Sequence, residues 1–173
     1  EIRCVTVEEP EFPERLRKLS GMPKKLYYIG NLPDQKKPAA AVVGARMCSP
    51  YGRCQAFKYA RKMAEYGVQI ISGMAKGIDA AAHEGALLGC RETGLVFGVL
   101  GCGIDVVYPA QNRKLYEAVA ACGGILSEYP PGLRPFAANF PARNRIISGL
   151  SDGVTVVEAD TRSGSLITAS CAL

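Results

Sequence analysis

Two blocks late in the chain hold the residue types best suited to chemistry. Residues 139–151 read Asn-Phe-Pro-Ala-Arg-Asn-Arg-Ile-Ile-Ser-Gly-Leu-Ser and bring Phe140, Arg143, Asn144 and Arg145 to one loop and helix start. Residues 162–168 read Arg-Ser-Gly-Ser-Leu-Ile-Thr and follow a hydrophobic strand. Guanidinium groups fork onto phosphate oxygens, and an aromatic ring accepts a stacked base at about 1–3 kcal/mol per base. In the second block Ser163 can cap a helix while Gly164 and Ser165 expose N–H groups to an anion, although capping alone accounts for Ser163. Phe140 has two readings, a stacking ring or a core residue beside Ile146 and Ile147. Together the blocks suit a phosphate-bearing polymer with bases, single-stranded nucleic acid above all.

Three glycine-rich loops add to this. Gly44-Ala45-Arg46 would set an arginine on the sheet rim, with Gly44 letting backbone approach a ligand; turn geometry alone also explains that glycine. Residues 72–79, Ser-Gly-Met-Ala-Lys-Gly-Ile-Asp, contain neither a dinucleotide-binding nor a Walker-type glycine pattern, but Lys76 can meet a phosphate. Gly101-Cys102-Gly103 admits a thiol nucleophile or a plain tight turn. The turn is the better reading, because the general base would have to be His83, the chain's single histidine. His83 itself sits among alanines and reads as a hydrogen-bonded packing residue. A serine triad is excluded on the same ground.

The elements that must position these groups alternate. Strands are expected at 39–43, 68–72, 95–100, 124–127 and 153–158, and helices at 51–66, 78–88, 112–121 and 140–150, with a long loop at 128–139. This is the β-α pattern of a three-layer, doubly wound, mostly parallel sheet, an α/β fold of Rossmann-like type whose Gly-rich loops share the carboxyl rim. A last helix starts near Ser163 and is cut off at Leu173, so the sheet is expected to continue beyond it. Residues 1–38 read as a short N-terminal lead-in, with a weak helix at 12–19, a strand at 26–29 and a linker at 33–38. Residues 39–173 form the Rossmann-like domain.

Composition sets bounds. The 173 residues, 48% hydrophobic and 21% charged, fit one globular domain. No apolar run nears ~18 residues, which argues against a membrane span, and no basic-then-apolar leader opens the chain, so a cytoplasmic location is expected. Seven scattered cysteines without a C-x-x-C pair, and one histidine, point to free thiols in a reducing compartment. No metal and no cofactor are expected. Net charge is +5, and residues 129–150 hold three arginines and no acid. That local excess is compatible with nucleic acid or with a solvated loop.

Six stretches, in order, resemble the DNA-processing protein A (DprA, also called Smf) family of bacteria: 43–46, 71–83, 99–109, 126–130, 140–151 and 157–168. The resemblance implies an extended Rossmann-like fold. It also implies sequence-tolerant binding of single-stranded DNA, protection of incoming DNA in natural transformation and help in loading the RecA recombinase, without enzymatic turnover. By the same match Arg46, Arg143, Asn144 and the Ser163–Ser165 turn lie in the DNA groove, and Phe140 is the base-stacking ring. The family's domain continues past Leu173, and a homodimer interface is attributed to that later part.

The reading favoured is a non-enzymatic single-stranded DNA-binding domain, with phosphates on Gly44, Arg46, Lys76, Arg143 and Arg145 and on the N–H-rich turns, and bases on Phe140 or a nearby tyrosine. Its rival is a nucleotide-binding hydrolase of the phosphoribohydrolase type, with Glu158 as acid and Arg143 on the phosphate. The Pro-Gly-Gly-x-Gly-Thr-x-x-Glu motif of that group is missing here. A nucleotide-sensing module without catalysis is the third.

Overall fold

The computed structural model describes residues 1–90, 94–160 and 164–172. Seven strands form one sheet: β1 (Arg3–Thr6), β2 (Lys25–Gly30), β3 (Ala39–Val43), β4 (Gln69–Ser72), β5 (Val96–Val99), β6 (Gly124–Ser127) and β7 (Gly153–Val156). Six helices accompany them: α1 (Glu14–Arg17), α2 (Pro50–Glu65), α3 (Ile78–Gly89), α4 (Arg113–Cys122), α5 (Asn139–Gly149) and α6 (Gly164–Ser170). The order across the sheet is β1-β2-β6-β5-β4-β3-β7. The five strands from β6 to β7 are parallel, whereas β2 is antiparallel to both β6 and β1. Only β2 therefore runs against the rest.

Handedness explains the layers. From β3 to β6 the chain steps along the sheet in one direction, so right-handed crossovers put α2, α3 and α4 on one face. From β6 to β7 it steps back past β3, and the same rule puts α5 on the other. Period-two alternation fills both sides. Ala39, Ala41, Val43, Ile71, Phe97 and Val99 pack with Leu16, Ile146, Ile147 and Leu150. Val42, Ile70 and Val96 pack with Ala60, Ala64, Ala82, Ala86 and Val119. This is the three-layer Rossmann-like arrangement expected.

The differences are local. The expected strands at 68–72, 95–100 and 153–158 are each shorter by one or two residues, although Leu100 and Val157 still donate to the Leu126 and Val43 carbonyls of the neighbouring strands, at 2.8 and 3.1 Å. The helix expected at 12–19 is one turn, Glu14–Arg17. β1 is not foreseeable from its pattern: in Arg-Cys-Val-Thr only Val5 is buried. The boundary expected at residue 38 does not separate two packing units. Through β1 and β2 the lead-in extends the sheet, and Phe12, Leu16 and Leu26 are fully buried in the shared core.

A candidate nucleic-acid interface at the carboxyl rim

Strand order reverses between β3 and β7, and there, beyond their carboxyl ends, open α/β sheets bind ligands. A cleft of about 630 Å³ lies at this point. Gly44, Arg46 and Met47 line it from the loop after β3, Phe140, Arg143 and Asn144 from α5, and Gly164 and Ser165 from α6. A smaller hollow of about 250 Å³ shares Arg46, Tyr108 and Phe140 and adds Lys76.

Helix geometry sorts the Phe-Pro-Ala-Arg-Asn-Arg block. Pro141 is tolerated because it falls in the first turn of α5, where its missing N–H has no intrahelical acceptor. At about 100° per residue, Phe140, Arg143, Asn144 and Ile147 share one face, and Arg145 falls about 140° away from Phe140. Arg145 accordingly leaves the cleft. Its guanidinium holds Glu128 with both nitrogens, at 2.8 and 2.7 Å, and Nε donates to the Gly21 carbonyl at 2.9 Å. The phosphate contact expected at Arg145 would thus fall outside the cleft lining, on a guanidinium already bound to Glu128.

Phe140 is half-buried at the junction of cleft and hollow. The Tyr108 ring lies 5.5 Å from it, tilted by 36°. The Arg46 and Arg143 guanidinium carbons stand 5.3 and 5.8 Å from its centroid. Arg46 is exposed and is paired with no carboxylate among the described residues. A ring beside an exposed cation is the arrangement that stacks a base and holds its phosphate. Phe136, 56% exposed, and Met47, 91% exposed, add apolar surface nearby.

Arg143 differs from Arg46. It is buried, and Nη1 donates to the Gly73 carbonyl at 2.9 Å and to the Val99 carbonyl, tying the ends of β4 and β5. Its Nε donates to Asn144 Oδ1 at 3.2 Å. Burial lowers its pKa to about 10, against the opposing pull of Asp79, so it stays charged. The buried Asp79 accepts from Gly73 N–H at 3.0 Å, with the Ala75 and Gly44 amides also facing its carboxylate. Burial raises the Asp79 pKa and Arg143 opposes the rise. The Arg143 donors nearest the strands are thus committed to backbone carbonyls, which makes Arg143 a brace for the rim first. Asn144 Nδ2 similarly donates to Gly164 O at 3.0 Å, fixing α6 to α5.

Gly44 is set by packing. A Cβ there would stand 2.6 Å from Ile78 Cγ1 and 2.8 Å from the Glu158 carbonyl. Lys76 is exposed in the smaller hollow. Ser165 is buried against the cleft and Gly164 is exposed at the start of α6. Ser163 lies outside the described residues. The sequence reading expects a nearby tyrosine without saying which, and Tyr108 is the ring beside Phe140; it does not single out Asp79 as a site residue, nor Asn112, whose Nδ2 donates to the Met74 carbonyl at 2.9 Å beside that residue's φ of 59°. The Val-Val-Tyr-Pro run that contains Tyr108 was the available signal.

The groups that the catalytic readings would need, Glu158, Cys102 and His83, lie outside the cleft lining. Glu158 accepts from Ser49 N–H at 2.8 Å and Ser49 Oγ at 2.6 Å, closing the N-terminus of α2, and these bonds lower its pKa. A general acid needs the opposite shift. Burial pushes Cys102 up to about 11. His83 is fully buried and held down to about 3 by burial, and neither ring nitrogen completes a hydrogen bond among the described residues. It packs as expected, with the Ser72 backbone as its polar neighbour.

A doubly wound α/β domain with a cationic, aromatic cleft at its switch point is the class that fold and site define. Residues 3–173 match the model of the DNA recombination-mediator protein A family, and the chain belongs to that family. It is 44% identical over 169 residues to Protein Smf of Synechocystis, covering 95% of this chain and 42% of that protein. The solved DNA processing protein A of Streptococcus pneumoniae superposes with a TM-score of 0.91 at 42% identity, over 99% of this chain and 59% of that one. DNA processing protein A of Helicobacter pylori, solved to describe its single-stranded DNA binding mode, gives 0.85 at 35% identity, over 98% and 76%. The chain spans about half the length of the curated relatives it matches.

Proposed function

We propose that this chain is a non-enzymatic single-stranded DNA-binding domain that acts in DNA uptake by natural transformation. The observation that carries the reading is the exposed Arg46 guanidinium, paired with no carboxylate among the described residues, 5.3 Å from the half-buried Phe140 ring in a cleft at the switch point. In this reading Arg46 and Lys76 hold phosphates, Phe140 and Tyr108 receive bases, and Arg143, Asn144 and Asp79 keep the rim in shape. Gly44, Gly164 and Ser165 line the cleft and bring backbone close to the strand. The single-stranded DNA binding described for the Helicobacter pylori relative supports the choice of ligand.

The same reading takes the protein to the cytoplasm, where it protects incoming strands and assists loading of RecA. It assigns a homodimer interface to the remaining length of the longer relatives. The hydrolase alternative loses its acid, because the Glu158 carboxylate is engaged by Ser49 and its pKa lies low.

The test is fluorescence anisotropy of a labelled ~20-nucleotide single strand on the full-length protein, with duplex as competitor, at two salt concentrations. The expected result is tight binding that duplex displaces poorly and that weakens with salt, since each neutralised phosphate contributes a slope of about −0.7. Equal competition by duplex, or release of free base from a nucleoside monophosphate, would count against the reading.

A further inference from the structure

The outer face of α2 carries a row of rings and cations that the core does not account for. Tyr51 is 73% exposed, Tyr59 54%, and Tyr66, which ends the helix, 75%. At about 100° per residue, Tyr51, Gln55, Lys58, Tyr59, Lys62 and Tyr66 fall within an arc of about 100°. Ala56, Ala60 and Ala64 line the opposite, buried face. Isolated exposed rings are ordinary, whereas three in register on one helix, with lysines between them, form a continuous surface. Lys58 is exposed and takes part in none of the ion pairs among the described residues. Lys62 Nζ stands 5.1 Å from the Tyr66 ring centroid and 3.3 Å from Glu65 Oε2. Of the four basic residues on α2, Arg53 pairs with Glu84 of α3 and Arg61 and Lys62 share Glu65, so the outer face keeps a net positive charge at Lys58 and Lys62.

The row is continuous with the cleft. Arg46 and Met47 line the cleft, Ser49 caps α2, and Tyr51 is the second helical residue. From there α2 runs back along the domain for 16 residues, about 24 Å. We propose that this face is a second segment of the DNA track. A single strand held at Arg46 leaves the cleft over the start of α2 and follows the helix, its bases stacking on Tyr51, Tyr59 and Tyr66 and its phosphates meeting Lys58 and Lys62. The proposal rests on the single-stranded DNA reading of the cleft and adds the path and length of strand engaged.

Anisotropy with oligo(dT) of 6 and 20 nucleotides on the full-length protein tests it. The variants are Tyr51→Ser/Tyr59→Ser, Lys58→Gln/Lys62→Gln and Arg46→Ala, each checked by thermal melting, which exposed substitutions should leave unchanged. The tyrosine pair should weaken the 20-mer by roughly tenfold or more and leave the 6-mer unaltered. The lysine pair should reduce the salt slope by about 1.4 on the 20-mer only. Arg46→Ala should weaken both lengths. If the α2 variants match wild type on the 20-mer while Arg46→Ala still weakens it, the track is refuted and the cleft reading stands; a face that docks a protein would give that pattern. If wild type binds neither length, both readings fall.

Discussion

Asp79 and Arg143 grip the same residue from opposite charges: Asp79 Oδ2 accepts from the Gly73 N–H at 3.0 Å, and Arg143 Nη1 donates to the Gly73 carbonyl at 2.9 Å. A Cβ at Gly73 would lie 2.7 Å from Asp79 Oδ2 and 2.8 Å from Arg143 Nη2. The contact secures the carboxyl end of β4. Through the Val99 carbonyl and the Gly44 amide it reaches the ends of β5 and β3 as well. The rim that presents Arg46 and Phe140 is therefore stiffened from below by these two buried side chains.

Removing one of them should be felt in stability. Arg143→Met leaves the Gly73 and Val99 carbonyls buried without their shared donor, and a loss of about 2–3 kcal/mol is expected in urea denaturation. Arg143→Lys should recover part of it, because one ammonium cannot reach both carbonyls as a planar fork does. A variant as stable as wild type would remove the bracing role.

Arg145 and Glu128 make the complementary case. Their side chains are 23% and 17% exposed and meet at 2.7 Å, away from the cleft. Arg145→Ala should cost about 1 kcal/mol or somewhat more, above the range of fully exposed pairs. Its affinity for a single strand should equal that of wild type. A drop in affinity at constant stability would return Arg145 to the DNA track.

Phe140→Leu separates stacking from packing. Leucine retains apolar contact with Tyr108 and Gly101, so stability should change by less than about 1.5 kcal/mol. Loss of the ring face should cost about 1–3 kcal/mol of single-strand binding. Unchanged affinity would make Phe140 a core residue, the other reading that its sequence context allows.

His83 gives the domain an acid sensitivity. Its pKa is about 3 in the fold against an ordinary 6.5, so below pH 6.5 the unfolded chain takes up a proton that the folded one refuses. Stability should fall as pH drops from 6.5 toward 3, by up to about 1.4 kcal/mol per unit. Asp79, with its raised pKa, acts in the opposite sense, and the neighbouring Arg143 remains charged throughout. Comparison with His83→Met isolates the histidine: between pH 7 and 4 wild type should lose about 3 kcal/mol more than the variant. Parallel curves would contradict the buried, neutral histidine.

Much of this was legible in the residues. The run of apolar strands and Gly-rich loops determines the rim, and Arg46 could be placed there because a glycine-led turn directly follows a buried strand. What escaped was direction and depth. Arg143 and Arg145 read alike in sequence, yet two residues of helix turn one inward and the other away, a difference that the 100° step already contains. Asp79 reads as a helix-start acid, because burial beside a distant arginine comes from the fold of β4 and α5 together. Tyr108 reaches Phe140 across a separation in sequence that no local pattern bridges.

The central claim, that the rim cleft holds single-stranded DNA through Arg46, is tested most directly by the salt dependence of 20-mer binding for wild type, Arg46→Ala and Arg145→Ala. The account predicts weaker binding and a slope shallower by about 0.7 for Arg46→Ala, with Arg145→Ala superimposed on wild type. Identical curves for wild type and Arg46→Ala, or a slope near zero for wild type, would contradict it.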